Sequence, residues 1–103
     1  MKDNVIKFKS FEFALRIVKL TKLLIEDKRE FVISKQLIRR GTAIGALIGE
    51  AEQAESKKDF IYKLSIGLKE ANETEYWLEL LYKSGYLDEK LLTSIIKTSK
   101  NRL

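Results

Sequence analysis

Three glycines stand four residues apart, Gly41, Gly45 and Gly49, inside the stretch Gln36-Leu-Ile-Arg-Arg-Gly-Thr-Ala-Ile-Gly-Ala-Leu-Ile-Gly-Glu50. The surrounding residues have helical spacing, and the chain contains no proline. A glycine inside a helix costs about 1 kcal/mol relative to alanine. Three in one stripe call for a compensating gain, and close approach of another backbone is the physical candidate. The stripe therefore points to tightly packed helices. A phosphate cradle is the competing reading. It needs glycines in a turn ahead of a helix N-terminus, with Lys-Ser/Thr following in the nucleotide-triphosphatase version. Spacing by four within a helix, with no such lysine, does not fit it.

Four helices and no strands are expected, forming one domain over residues 1–103. The first runs from about Ser10, read as its N-cap, to about Asp27. Glu26-Asp-Lys-Arg-Glu30 reads as the turn into a second helix, which begins between Phe31 and Ser34 and ends near Gln53. Ser56-Lys-Lys-Asp59 is an acidic variant of the capping box and opens a third helix running to Ser84, with Gly85 as its terminating residue. Asp88 caps a fourth helix reaching the C-terminus. Short connections favour antiparallel neighbours, giving an all-α, up-down four-helix bundle.

Two patterns suggest more surface to bury than one copy can hide. In the first helix Phe13, Ala14, Ile17, Val18, Leu20, Leu24 and Ile25 fill an arc of roughly 160°, with Leu15 and Leu23 outside it. A helix packed on one side needs an apolar stripe of only about 100° or a little more. The third helix should span about 42 Å and the fourth about 24 Å. A partner subunit covers the remainder, the bundle is open at one end, or residues of the natural chain lie outside this sequence.

Composition limits the chemistry. There is no cysteine and no histidine, which removes disulfides, thiolate metal sites and the commonest general base. No signal-peptide core or membrane-length apolar run is present, so a cytoplasmic location is expected. No cofactor is expected, and no membrane partner. The carboxylates Glu50, Glu52, Glu55, Glu70, Glu73, Glu75 and Glu79 are the remaining acid/base material. Glu52-x-x-Glu55 with Glu70-x-x-Glu73 faintly resembles the Mg²⁺-binding helices of all-α nucleotide pyrophosphohydrolases, although the second pair there ends in Asp. A solvated acidic face is the plainer account, and no enzymatic activity is expected.

The net charge of +5 and pI near 9.4 favour polyanionic partners. Lys35, Arg39 and Arg40 open the second helix, Lys57 and Lys58 the third, and Arg16, Lys19 and Lys22 form a strip on the first. All eight are candidate phosphate contacts, which position a nucleic acid without reading its sequence. In an antiparallel hairpin of the second and third helices, their two basic groups sit at opposite ends. Tyr62, Tyr76, Trp77, Tyr82 and Tyr86 could stack bases, but helical spacing favours core or interface positions.

The chain resembles the four-helix bundle family of bacterial 23S rRNA intervening-sequence proteins over nearly its whole length. The resemblance rests on Lys9-Ser10-Phe11 with Phe13-Ala14, on Ser34-Lys-Gln-Leu37, and on Arg39 with Gly41-Thr42 and Ile44-Gly45-Ala46. It continues through Glu50-Ala51, Ser56-Lys-Lys-Asp-Phe60, Lys63-Leu-Ser-Ile66, Lys69-Glu-Ala71, Glu73-Thr74, Tyr76-Trp-Leu78 and Leu92-Thr-Ser-Ile-Ile-Lys97. It implies a ring-like homopentamer without known enzymatic activity, with a role in binding RNA or other nucleic acid. A related branch implies an alternative, an accessory scaffold engaging a partner protein such as the reverse transcriptase of diversity-generating retroelements. The chain departs from the family pattern at Ala43 and Leu47, where Ser and Asn are usual, and at Arg40, where a small residue is usual. It is also shorter between Leu87 and Leu92.

Overall fold

The computed structural model describes the backbone of residues 2–100 and the side-chain surroundings of residues 5–98. It is all-α among these residues, with α1 Lys2–Lys28, α2 Val32–Glu52, α3 Lys57–Lys83 and α4 Glu89–Lys100. Residues 101–103 of the expected fourth helix lie outside the described residues.

The ends of α3 and the start of α4 have identifiable causes. Ser56 Oγ accepts the Asp59 N–H at 3.0 Å and starts α3, and Asp88 Oδ1 accepts the Leu91 N–H at 2.8 Å to start α4. Both are the expected caps. At the end of α3, Gly85 has φ +88°. The Tyr86 N–H reaches the Leu81 carbonyl and the Gly85 N–H that of Tyr82, the paired bonds of a Schellman ending.

Two boundaries differ from expectation. Helix α1 begins at Lys2 rather than near Ser10. No breaker precedes Ser10, whose hydroxyl donates to the Lys7 carbonyl at 2.9 Å inside the helix. Its small side chain is buried. The turn into α2 is shorter than Glu26–Glu30, because α1 continues to Lys28. Arg29 then takes a left-handed φ of 57°, and the Glu30 N–H returns to the Leu24 carbonyl. No side chain of the N-cap residue Phe31 caps α2. Glu30 does this work, accepting the N–H groups of Ile33 at 2.9 Å and Ser34 at 2.7 Å.

The helices pack in a cycle compatible with a bundle: α1 on α2, α2 on α3, α3 on α4 and α4 on α1. Pairing of Lys7 with Glu52 and of Ile17 with Gly41 makes α1 and α2 antiparallel. Pairing of Glu50 with Lys63 and of Arg40 with Glu70 does the same for α2 and α3. The core consists of Phe13, Ile17, Leu20 and Leu24 from α1, Leu37 from α2, Leu78 and Leu81 from α3, and Leu87, Leu92 and Ile95 around α4. These residues belong to one end of the molecule. Two residues at one edge of the apolar arc expected on α1, Val18 and Ile25, are exposed instead.

The glycine stripe is explained in part. A Cβ on Gly41 would sit 3.0 Å from both γ-carbons of Ile17, so α1 and α2 meet closely there. A Cβ on Gly45 would meet Ser10 Oγ at 3.4 Å, whereas one on Gly49 would meet nothing within 4 Å.

Candidate nucleic-acid interface

Helical spacing fixes where the basic residues stand. At 100° per residue, Lys19 and Lys22 lie opposite the buried Ile17 and Leu24 stripe of α1. Lys35 and Arg39, one turn apart, lie opposite Leu37 on α2. All four are exposed. The Ile17–Gly41 contact sets the register of the antiparallel pair. Lys19 and Lys22 follow that crossing on α1, and Lys35 and Arg39 precede it on α2, so both pairs occupy the same end of the hairpin's outer face. None of the four makes an ion pair among the described residues.

The other candidates stand elsewhere. Lys57 and Lys58 are exposed in the first turn of α3, at the opposite end, as expected of an antiparallel hairpin. Arg40 is directed into the α2–α3 contact, where its guanidinium meets Glu70 at 3.0 Å and also Glu73. About a quarter of its side chain stays accessible. A charge held by two carboxylates is poorly placed to neutralise a phosphate, so Arg40 is reassigned to helix packing. Arg16 is diverted in the same way. Its Nη1 donates to Ser94 Oγ at 2.8 Å, to the Ser94 carbonyl at 3.3 Å and to Thr98 Oγ1 at 3.2 Å. It fastens α4 to α1. Spacing on one helix could not reveal either role, because the partners are distant in sequence.

Four of the candidate carboxylates are similarly engaged. Glu70 and Glu73 face Arg40, Glu50 bonds Lys63 at 2.9 Å, and Glu52 meets Lys7 at 3.2 Å. The Glu50 hydrogen bond and charge hold the Lys63 ammonium above its ordinary pKa. Glu55 lies beyond α2, as the sequence suggested. Among the described residues no group of three or more acidic, His or Cys side chains is arranged to hold a metal ion. Of the aromatics, Trp77, Tyr82 and Tyr86 pack on the core, while Tyr62 and Tyr76 are exposed. Tyr76 meets Trp77 edge to face at 5.1 Å, so its ring is partly committed.

Beside the basic quartet, the α1–α2 surface changes character. Phe11, Leu15 and Val18 of α1 line a groove of about 380 Å³ with Thr42, Gly45 and Ala46 of α2. Phe11 is 62% exposed, unusual for so large an apolar side chain. Sequence reasoning missed this groove as a unit. Its signal was Leu15 lying outside the buried arc, opposite glycines that keep the facing helix low.

No helix among the described residues is long and apolar enough to cross a membrane. The sequence profile described as 23S rRNA-intervening sequence protein matches residues 2–102. Among solved structures, a protein of unknown function from the S23 ribosomal protein family of Bacteroides thetaiotaomicron VPI-5482 is similar, with 61% sequence identity and a TM-score of 0.94. The match covers 96% of this chain and 88% of the other. Comparison with curated proteins gives no match.

Proposed function

This chain belongs to the 23S rRNA-intervening sequence protein family, and on that premise we propose that it is a non-enzymatic, self-associating helical protein that holds RNA on a basic surface. The observation carrying this reading is the quartet Lys19, Lys22, Lys35 and Arg39, exposed and without ion pairs at one end of the α1–α2 outer face. Such cations attract phosphates and release counterions whatever the base sequence.

A second copy is the proposed occupant of the neighbouring groove at Phe11, Leu15 and Val18. A ring of copies, five by family resemblance, would repeat the quartet and convert weak single contacts into avidity. Four of the seven carboxylates that could have served acid/base chemistry, Glu50, Glu52, Glu70 and Glu73, are instead paired with lysine and arginine, which supports a binding role over a catalytic one.

The test is titration of a structured RNA hairpin at several salt concentrations, with light scattering on the same samples. We expect affinity to fall steeply with salt and the mass to exceed the 12.0 kDa of one chain. Lys35→Glu with Arg39→Glu should weaken binding by at least about tenfold and flatten the salt dependence by about two charges. No binding at low salt, or affinity indifferent to both substitutions, would remove the reading.

A further inference from the structure

The turn between α1 and α2 presents its aromatic side chain outward. Phe31 is 54% exposed, and Val32 beside it 76%. Closure of the turn does not need either side chain. Arg29 supplies the left-handed φ, the Glu30 N–H returns to the Leu24 carbonyl, and Glu30 rather than Phe31 caps α2. Among the described residues Phe31 neither joins the core nor stacks on another ring.

The backbone fixes where the ring stands. Phe31 has helical angles, φ −111° and ψ −27°, and its carbonyl accepts the Lys35 N–H at 3.2 Å. Phe31 and Lys35 are therefore neighbours one turn apart on one face of α2, with Arg39 a further turn along it. Ile38, also exposed, falls about 20° from Phe31 around the helix. Across the hairpin, the Ile17–Gly41 register sets Lys22 level with Gln36, next to Lys35. Glu30 is buried, its oxygens occupied by Ile33 and Ser34, so it does not oppose this face. Glu26, a turn past Lys22, is exposed and does oppose it. Lys22, Lys35 and Arg39 leave the face positive nonetheless.

We propose that Phe31 is a base-stacking residue, and that the RNA held here is single-stranded. This rests on the reading of Lys19, Lys22, Lys35 and Arg39 as phosphate contacts and adds what the bases do. An aromatic face one turn from a cation suits a single nucleotide, whose base stacks while its phosphate is neutralised. Paired bases are already stacked on one another and offer the ring no free face. The other occupants fit less well. A bilayer surface wants a continuous apolar face along a helix, whereas Phe31, Val32 and Ile38 are interleaved with Lys35 and Arg39. Symmetric pairing of this face with a second copy would oppose like charges.

Fluorescence anisotropy with labelled 12-nucleotide strands tests the proposal: one RNA, one abasic sugar-phosphate strand of equal charge, and the RNA annealed to its complement. The single RNA strand should bind at least about tenfold tighter than the abasic strand. Phe31→Ala should weaken the RNA strand about tenfold, with the salt slope and the affinities for the abasic and annealed strands unchanged. Phe31→Trp should keep the preference for bases, and Phe31→Leu, apolar but without a ring, should lose it. Circular dichroism confirms the fold of each variant. Equal binding of RNA and abasic strands, or a preference that survives Phe31→Ala, overturns the inference while salt-dependent binding leaves the reading beneath it standing. No binding of any strand at low salt removes both. Binding to phosphatidylserine vesicles that Phe31→Ala abolishes would make a lipid surface the partner and also overturn it. So would a fall to the 12.0 kDa of one chain in Phe31→Ala, since the ring would then lie between copies.

Discussion

The two ends of this molecule are made from the same helices but packed to different degrees. At the end holding Leu24, Leu37, Leu78 and Ile95, all four helices contribute side chains that are at most 1% exposed. At the other end Phe8, Phe11, Ile61 and Leu68 are each more than half exposed. Apolar burial supplies roughly 25 cal/mol per Å², so the closed end carries most of the stabilisation. Exposed apolar surface at the open end gains nothing until something covers it. The difference teaches where the fold is held: the fully buried side chains gather at one end, while exposed apolar surface occurs at both, Phe31 and Val32 standing out at the closed one.

The largest expected contrast tests that difference directly. Leu37→Ala should cost about 2–5 kcal/mol, because the cavity lies among fully buried neighbours. Leu68→Ser should change stability by less than about 0.5 kcal/mol, as expected for a surface substitution. Urea denaturation of both variants checks this, and a comparable loss in Leu68→Ser would break the comparison.

The glycines give a smaller contrast within α2. Gly41→Ala forces a methyl group against Ile17, a branched side chain with no exposed surface. Overpacking should outweigh the gain in helix propensity and leave a net loss of about 1 kcal/mol. Gly49→Ala meets open space and should raise monomer stability by roughly 0.5–1 kcal/mol. Thermal unfolding separates the two signs. A Gly49→Ala variant that is more stable yet less associated would place another copy over that glycine.

The smallest effect concerns the closed end and depends on pH. Burial raises the pKa of Glu30, but bonds from the Ile33 and Ser34 N–H groups, the Ser34 hydroxyl and the Val32 N–H outweigh it and hold the carboxyl below its ordinary value. A carboxyl with a lowered folded-state pKa stabilises the fold above its unfolded pKa. That contribution is lost as pH falls through the folded value. Glu30→Gln should therefore cost about 1 kcal/mol near neutrality, with the gap from wild type narrowing as acid protonates Glu30. Urea midpoints measured from neutral to acidic pH read the effect, and a constant gap would refute it.

Much of this arrangement is legible from local sequence. Ser56, Gly85 and Asp88 mark helix ends because their reach is a few residues of backbone. The tight crossing at Gly41 follows from glycine spacing. Ser10 misled because a serine that caps and a serine buried within a helix look alike until the neighbouring helix is placed. Glu30 was hidden in a charged turn, although it precedes the helix it caps by a spacing within side-chain reach. From sequence alone Arg40 and Arg16 read as surface charge. Their partners, Glu70 and Glu73 for one and Ser94 and Thr98 for the other, come into range only after the helices dock. The separation of Lys35 and Arg39 from Lys57 and Lys58 follows from the antiparallel hairpin that short connections imply, whereas their grouping with Lys19 and Lys22 needs the Ile17–Gly41 register.

The grip of Arg16 on Ser94 and Thr98 has a kinetic consequence. Contacts between successive helices close short loops, whereas this one joins residues 78 and 82 positions apart. Loop-closure entropy makes such a junction slow to form relative to hairpins. The last helix is thus the natural unit of partial unfolding, the segment whose amide protons should exchange with solvent before those of its neighbours.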